Sequence, residues 1–495
     1  MNDRCIFLKG WLLGLAVVAG AISVNAIDKE TDGGCGDLLK DVPAVSEGPV
    51  SADSLPQAWT WQTDRVQEIP GGPDDVWWQQ FSDPVLNKLI DLGIERNYDL
   101  RIAARRAEIA RAQMNRSKSA WYPTVAASFG WQHTQPSGAT SKGEPVSMPG
   151  EQYFNAGLSA TWEIDLFGKI YSDVKAGRES YRASRAEYAG AMVSMTAQIA
   201  STYFTLREQQ RLLQVAQAHC ENQMQIVKIA EARVECTLAS KLDVAQAWQT
   251  YYSTSASIPT LESSIRSTMN TLGVLVGAYP SEIQAIVGEG GPLPNCNIGL
   301  PASVPADLLR RRPDIVAAER QVAAAAASVG VARKDFLPTL AIQGSVGTAS
   351  REIGHLFGDH SLTWSVAPTL TWTLFDGFAR KYSLNVAREQ LQSEIDSYNL
   401  AVMTAVGETD TALNAYNAHL RHIEAIQKLC VENEEALNLA VKRYKDSLSP
   451  MTDVVNAQLN ALSGQSELVQ AQADALNALV SVYEALGGGI CPDSY

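Results

Sequence analysis

The longest hydrophobic pattern in the chain repeats every seven residues between residues 199 and 234. Seven-residue spacing places apolar side chains along one side of a helix that packs against other helices over many turns. Residues 169–236 contain no proline, and their only glycines are Gly177 and Gly190. We therefore predict one helix of about 65 residues, which at 1.5 Å per residue is on the order of 100 Å long. The positions of the series are Ile199, Leu206, Leu213, Cys220, Val227 and Val234.

The same pattern recurs 210 residues further along the chain. The repetition indicates a tandem duplication, with a second long helix over about 379–446. Cys220 and Cys430 occupy equivalent positions, and we predict that both pack as small apolar side chains. The second series consists of Thr409, Tyr416, Ile423, Cys430, Leu437 and Tyr444.

Each copy also contains two segments in which apolar and polar residues alternate. The apolar positions lie in 125–131 and 154–164 in the first copy and in 340–346 and 364–374 in the second. Alternation with aromatic residues near the ends is typical of transmembrane β-barrel strands. The alternative is a half-buried strand of a soluble antiparallel sheet, but four such strands beside two long helices favour the barrel. Pro368 removes one ladder donor from the fourth strand.

Shorter helices complete each copy. Asp83 and Pro84 suit the start of a short helix, and a second helix runs from about Asn97 to Ala120. A turn at 236–240 follows the first long helix, and a returning helix is predicted over 241–276. A second returning helix is predicted over 452–485.

The first 26 residues have the pattern of a signal peptide, with Arg4 and Lys9 before an apolar run and small residues before position 27. A membrane anchor is the alternative, but the apolar run is short for one. We divide the rest into an extended N-terminal arm (27–82), a first repeat (83–287), a linker (288–305), a second repeat (306–489) and a C-terminal tail (490–495).

Composition excludes some classes of partner. The net charge of −14 argues against nucleic-acid binding, and against attachment to an anionic membrane surface by charge. An exported chain can form disulfides, and a bridge among Cys35, Cys296 and Cys491 is conceivable, although sequence does not give the pairing. The residues before Cys35 lack the aliphatic residue that a lipoprotein signal needs.

Four strands cannot close a barrel alone, because single-chain barrels begin at about eight strands and lipid does not tolerate open strand edges. Closure therefore needs several chains in a ring. The predicted fold class is an α+β membrane protein, in which tandem-repeat long helices form a coiled-coil barrel that continues a transmembrane β-barrel. These features indicate an oligomeric pore with a long helical stalk.

Several motifs resemble those of the outer-membrane factors of tripartite efflux and type I secretion, the TolC/OprM family. They are Pro-Thr before a strand at 123 and 338, the junctions WEIDLFG at 162–168 and WTLFDG at 372–377, and the paired segments around the two turns. The closing LGGG at 486–489 is most similar to the OprM branch. The resemblance covers nearly the whole mature chain.

The resemblance implies a homotrimer with a 12-stranded barrel in outer-membrane lipid and a helical tunnel across the periplasm. It also implies a periplasmic adaptor (membrane fusion) protein and an inner-membrane transporter of RND type as partners. The chain would be a passive channel for drugs or other small molecules, with no enzymatic activity, cofactor or nucleic acid. Two alternatives stay open, which are a duct for type I protein secretion and a structural coiled-coil protein that does not conduct.

The resemblance places acidic residues at a narrow periplasmic aperture, at positions that match Asp243 and Asp453. A second acidic position of the secreting branch corresponds to Gln246 and Asn456, so this aperture is expected to be less negative. Rings of carboxylates at a constriction favour cations. The simpler interpretation of both aspartates is that they stabilise helix starts.

The tip turns themselves are expected to include Thr237, Leu238, Ser447 and Leu448. The family usually has glycine within these turns, where a positive φ is wanted, so either the turn is rebuilt or some strain is accepted. Arg233, Arg443 and Tyr444 precede the turns and are candidates for gating contacts between helices. An arginine near a helix C-terminus also needs no functional reason.

No catalytic motif is evident. The chain has no phosphate-binding loop, nucleophile elbow or paired CxxC. His355 and His360 flank Asp359 in the second extracellular loop, where a metal site is possible but polar loop decoration is the better interpretation.

Overall fold

A computed structural model describes residues 76–135, 150–288, 290–295 and 311–488, together with residues 49, 68–69, 137 and 300–301. The predicted signal peptide, most of the N-terminal arm and the C-terminal tail lie outside the described residues. Cys35, Cys296 and Cys491 lie outside them as well, so their pairing stays a prediction.

Each copy contains one very long helix between shorter ones. The two long helices, α3 and α8, each have 67 residues. The helices are α1 (Pro84–Arg96), α2 (Tyr98–Ser119), α3 (Lys169–Glu235), α4 (Lys241–Ser255), α5 (Ile258–Val276), α6 (Pro280–Val287), α7 (Pro313–Lys334), α8 (Ala379–Lys445) and α9 (Met451–Ala485). The strands are β1 (Glu68–Ile69), β2 (Thr124–Thr134), β3 (Glu151–Ile164), β4 (Leu300–Pro301), β5 (Thr339–Ser350) and β6 (Leu362–Thr371).

The seven-residue series marks the packed face of each long helix. Every member of both series is buried or half-buried. α3 packs against α2, α7, α9, α4 and α5, and α8 packs against α7 and α9. The long helices therefore find their neighbours within the same chain. Cys220 is buried as predicted, whereas Cys430 is only half-buried.

α7 is the one helix of the described chain that is long and apolar enough to cross a membrane. Its interior is rich in alanine, and it packs between the two long helices. In this fold α7 is therefore one of the helices packed along α3 and α8.

An aromatic core joins the start of the first repeat to the end of the second. A 3-10 helix at Trp77–Phe81 lies within it, although these residues fall in the segment that the sequence assigned to the N-terminal arm. Trp77 stacks on Tyr483 with ring centroids 5.1 Å apart, and Phe81 contacts Phe204 edge-on at 5.0 Å. These contacts hold the 3-10 helix and the end of α9 against α3 near its middle.

The predicted returning helix 241–276 is wrong in one respect, because it is two helices. α4 ends at Ser255 and α5 begins at Ile258, with Pro259 in its first turn. A proline there has no N–H to donate to the preceding turn and its ring crowds that turn, which ends the first helix. A further short helix, α6, follows after Tyr279.

The four long strands form one antiparallel sheet in the order β2-β3-β5-β6. Its register brings the four apolar faces onto the same side, since Leu158 lies opposite Ala127 and Val346, and Val346 lies opposite Trp364. The other side is polar, with Ser345 and Ser365 in hydrogen-bond contact. Large apolar side chains on the first face are exposed, among them Phe129, Trp131, Trp364 and Val366.

The fourth strand is shorter than predicted and ends at Thr371, so Trp372 and Leu374 lie beyond it. The partner strand β5 begins only at Thr339. The residue before it is Pro338, which lies outside the strand. Instead, the Trp372 indole donates a hydrogen bond to the carbonyl of Phe336 at 3.0 Å.

Candidate functional site

Two turns that are 210 residues apart form the end of the molecule opposite the sheet. In the first, the Leu238 N–H donates to the Arg233 carbonyl at 2.8 Å and the Thr237 N–H to the Val234 carbonyl at 2.9 Å. The second turn repeats the pair, from Leu448 to Arg443 at 2.8 Å and from Ser447 to Tyr444 at 3.1 Å. Both are Schellman ends, in which two N–H groups beyond the helix satisfy its last carbonyls.

Both Schellman turns place a residue with a side chain in the left-handed region. Thr237 has φ 61° and Ser447 has φ 62°. Glycine adopts this conformation without steric cost, and other residues lose roughly 1–2 kcal/mol there. The turn geometry is therefore kept and the strain is accepted, which resolves the alternative that the sequence left open.

Arg233 connects the two turns. Its guanidinium donates to the Lys445 carbonyl at 2.6 Å and to the Ser447 Oγ at 2.8 Å, both on the second turn. It also donates to the Leu238 carbonyl on its own turn at 3.3 Å. One cation thus satisfies oxygens of both helix ends, where the helix dipoles favour positive charge.

The aromatic ring of Tyr444 packs against the guanidinium of Arg233. The guanidinium carbon of Arg233 lies 4.8 Å from the centroid of the Tyr444 ring, which is a cation–π contact. The ring is buried in an apolar cluster with Val227, Met451 and Val454. Burial raises the pKa of the Tyr444 hydroxyl, and the carboxylate of Asp243 raises it further, while Arg233 opposes the shift.

The second copy does not repeat the contact of Arg233 within the chain. Arg443, the equivalent residue, is exposed, and its guanidinium lies 3.5 Å from the Leu448 carbonyl of its own turn. The position equivalent to Tyr444 is Val234, which has no ring to stack on. The duplication is therefore symmetric in its backbone and asymmetric in its side-chain contacts.

The two predicted aperture carboxylates have different surroundings. Asp243 forms a capping box with Ser240, since its carboxylate accepts from the Ser240 N–H at 3.1 Å. Asp453 is exposed in the first turn of α9, whose N-cap is Pro450 and has no side-chain cap bond. The helix-start role is thus present for Asp243. Gln246 is half-buried and Asn456 is exposed, one turn further along the same helices.

The contacts of two residues in the turns were not identified from the sequence. Ser240 caps α4, and the spacing from Ser240 to Asp243 is a capping-box pattern that could have revealed it. Ser447 was assigned to the turn, but its role as an acceptor for Arg233 depends on contact between segments 214 residues apart. No local pattern reports such a contact.

No group of three or more metal-ligating side chains occurs in the portion of the chain that the structure describes. His355 lies in a short 3-10 helix with its ring nitrogen 3.6 Å from the Glu352 carboxylate. His360 has φ 73°, a turn conformation. The arrangement is that of a polar surface loop.

Together, an antiparallel sheet with an exposed apolar face, two helices of 67 residues and a paired turn define a channel-type envelope protein. The family model described as "Outer membrane efflux protein" matches residues 89–278 and 304–488. The chain belongs to the outer membrane efflux protein family.

Relatives and solved structures agree with this assignment. The solvent efflux pump outer membrane protein SrpC of Pseudomonas putida is 31% identical over 411 residues, covering 83% of this chain and 86% of that protein. Outer membrane protein OprJ of Pseudomonas aeruginosa is 28% identical, over 88% and 91% of the two chains. The structure of the outer-membrane channel OprN is similar with a TM-score of 0.80 and 27% identity, over 90% of this chain and 99% of that one. The open-state MtrE channel of Neisseria gonorrhoeae gives a TM-score of 0.77 and 29% identity, over 92% and 99%.

Proposed function

We propose that this protein is the exit duct of a tripartite efflux system, which conducts small molecules passively across the periplasm and the outer membrane. The observation that carries the proposal is the continuity of the chain. β3 leads directly into α3, and α3 ends at the paired turns near Arg233. One element thus links a lipid-compatible sheet to the paired turns, on the order of 100 Å away.

The directions of the strands support ring closure by identical copies. No strand in the described ranges pairs with the outer side of β2 or of β6. Neighbouring strands are antiparallel throughout, so with four strands the two edge strands run in opposite directions. The β6 of one copy can therefore meet the β2 of the next as another antiparallel pair. Three copies would give 12 strands, within the range of known barrels.

The names of the relatives support small molecules as cargo. They are described as outer membrane proteins of solvent and antibiotic efflux pumps, and one as a pyoverdine export protein. Such systems require an inner-membrane transporter and a periplasmic adaptor, and we propose both as partners here. The uncharged Gln246 and Asn456 give a less negative aperture than the secreting branch has, which also favours small-molecule efflux over protein secretion.

We assign gating to the paired turns. In a ring, each turn has two neighbouring turns, one in the same chain and one in the next copy. Arg233 holds the gap within the chain through Lys445 and Ser447. By the internal duplication, Arg443 would reach the carbonyl of Glu235 and the hydroxyl of Thr237 of the next copy. No aromatic ring would stack on Arg443 in that contact, because the residue equivalent to Tyr444 is Val234. The contact between copies would therefore be weaker than the one within the chain and would open first.

The acidic side chains complete the proposed aperture. Three copies would bring Asp243 and Asp453 together as six carboxylates at one constriction, which attracts cations. Asp453 is the more available of the two, because the carboxylate of Asp243 is used in the capping box.

The proposal can be tested in cells by dye efflux. A strain that lacks this gene should accumulate a fluorescent efflux substrate, and the wild-type gene on a plasmid should restore its export. A variant in which a disulfide joins the 236–240 turn of one copy to the 446–450 turn of the next should reach the membrane but not restore export. Normal export in the strain without the gene, with no other duct expressed, would contradict the proposal.

A further inference from the structure

Pro368 lies on the outer strand β6, in the middle of an edge that faces no other strand of the described chain. Its direct opposite on β5 is Ile342. The backbone of each residue in an antiparallel ladder points either to its partner strand or away from it, in alternation. Which way Pro368 points decides which ladder loses a hydrogen bond.

The register settles the direction. The Ala349 N–H donates to the Ser361 carbonyl at 3.0 Å, and this pair continues the ladder by one residue beyond Thr348 and Leu362. Odd-numbered residues of β6 therefore bond to β5, and even-numbered residues direct their N–H and C=O groups to the free edge. Pro368 is even-numbered. The β5–β6 ladder loses nothing, and the missing N–H lies on the edge that would meet another copy.

The internal duplication supplies a comparison. The position equivalent to Pro368 in the first copy is Leu158, on the inner strand β3, where it lies between Ala127 and Val346. A proline there would remove a bond to a strand of the same chain. The sequence of β2, the other free edge, contains no proline. The two edges are therefore unlike, with a continuous row of donors on β2 and an interrupted row on β6.

We infer that Pro368 directs assembly, by making the β6 edge a poor partner for a second β6 edge and leaving the β2 edge of another copy as its preferred partner. The inference rests on the proposed ring of copies. Two antiparallel β6 strands would form a two-fold dimer, which uses the β6 edge of both copies and so prevents a ring in which each β6 meets a β2. That pairing loses two hydrogen bonds because it contains two prolines, whereas pairing of β6 with β2 loses one. Proline is one of the means by which natural edge strands avoid wrong partners.

The occupant of the β6 edge is thus the β2 strand of a second copy, in preference to the β6 strand of that copy. A net hydrogen bond is worth about 0.5–1.5 kcal/mol, which corresponds to roughly a two- to tenfold preference. The preference matters most before the ring closes, when both edges of every copy are free.

The test uses the full chain with a photo-crosslinking amino acid at Val366, an even-numbered edge position. Equal amounts of ¹⁴N- and ¹⁵N-labelled protein are refolded together into vesicles of phosphatidylcholine and phosphatidylglycerol and irradiated. Trypsin releases β6 in the peptide 352–380 and β2 in the peptide 119–142. Mixed-isotope crosslinks of 352–380 to itself report β6–β6 pairing, and crosslinks to 119–142 report β6–β2 pairing.

In the wild-type background, β6–β2 crosslinks should dominate. Pro368→Ala should raise the ratio of β6–β6 to β6–β2 crosslinks roughly two- to tenfold, because it restores two donors to one pairing and one to the other. Pro338→Ala is the matched control and should leave the ratio unchanged, since Pro338 precedes β5 and is not on the free edge. An unchanged ratio in Pro368→Ala would overturn the inference. Absence of β6–β2 crosslinks in the wild-type protein would instead contradict the ring.

Discussion

Arg233 lies with its guanidinium carbon 4.8 Å from the centre of the Tyr444 ring, and these two residues come from different copies of an internal duplication. The same guanidinium bonds to the Lys445 carbonyl and the Ser447 hydroxyl. The contact is therefore both a stack and a bridge between two helix ends. It has no equivalent at Arg443 within the chain, so the two halves of the tip are held differently.

The Tyr444 ring, and not its hydroxyl, should determine how firmly the tip is held. Tyr444→Phe keeps the ring under Arg233 and the apolar cluster around it. Tyr444→Leu loses the cation–π contact, worth about 0.5–2 kcal/mol, and leaves space in the cluster. We expect limited trypsin digestion to cleave after Lys445 several-fold faster in Tyr444→Leu than in the wild type, with Tyr444→Phe close to the wild type. Equal cleavage of the two variants would show that the ring does not support the arginine.

The left-handed turn residues predict a stabilising substitution. Thr237→Gly should stabilise the folded protein by about 1 kcal/mol, because a side chain at φ 61° is strained and glycine is not. Ser447→Gly should stabilise the folded protein by less than Thr237→Gly, because it also removes the hydroxyl that Arg233 contacts. Chemical unfolding in detergent measures both. Ser240→Ala in the same turn is the control of opposite sign, since losing that cap costs about 1 kcal/mol.

Glu208 on α3 predicts a dependence of stability on pH. Burial, and then the carboxylate of Asp474, raise its pKa from 4.5 to about 7. Between these values the folded protein holds a proton that the unfolded chain releases, so the contribution of Glu208 to stability falls as the pH rises from about 4.5 to about 7. Glu208→Gln should therefore lose less stability than the wild type between pH 5 and pH 8 in unfolding experiments.

Asp474→Asn provides the control for this pH effect. It removes the like charge but not the burial, so it should weaken the pH dependence without abolishing it. Identical pH profiles for the wild type and Glu208→Gln would show that Glu208 titrates with an ordinary pKa.

Two tryptophans hold equivalent strand ends in the two copies. The indole of Trp162 donates to the Trp121 carbonyl and that of Trp372 to the Phe336 carbonyl, each at 3.0 Å. Trp162→Phe and Trp372→Phe should each destabilise the junction by about 1 kcal/mol. Trp364→Phe, on the exposed apolar face of β6, is the control and should have a smaller effect on unfolding in detergent. A larger effect at Trp364 would contradict this role of the indole bonds.

The elements with long periodic patterns could be predicted from the sequence. The seven-residue series identified the packed faces of α3 and α8, and alternation identified the face shared by all four strands. The break at Pro259 and the end of β6 at Thr371 were not predicted. The first depends on a single proline in the first turn of the next helix, and the second on where the partner strand β5 begins.

The candidate site was predictable in its residues but not in its contacts. The sequence indicated Arg233 and Arg443 because both precede the two turns that the resemblance places at the tip. The pattern gave no indication that Arg233 bridges the turns while Arg443 is exposed, since that depends on how α3 and α8 end relative to each other. The strain at Thr237 and Ser447 was likewise visible only in the backbone dihedral angles.

We propose that Arg233 constricts a conducting duct at the tip. Single-channel recording of the purified protein in planar lipid bilayers tests it most directly, with Arg233→Ala compared with Arg443→Ala, which removes the same charge from the equivalent turn. We predict small conductance for the wild type, a several-fold increase for Arg233→Ala and a smaller increase for Arg443→Ala. Bilayers that stay silent with the wild type and with both variants would contradict the account.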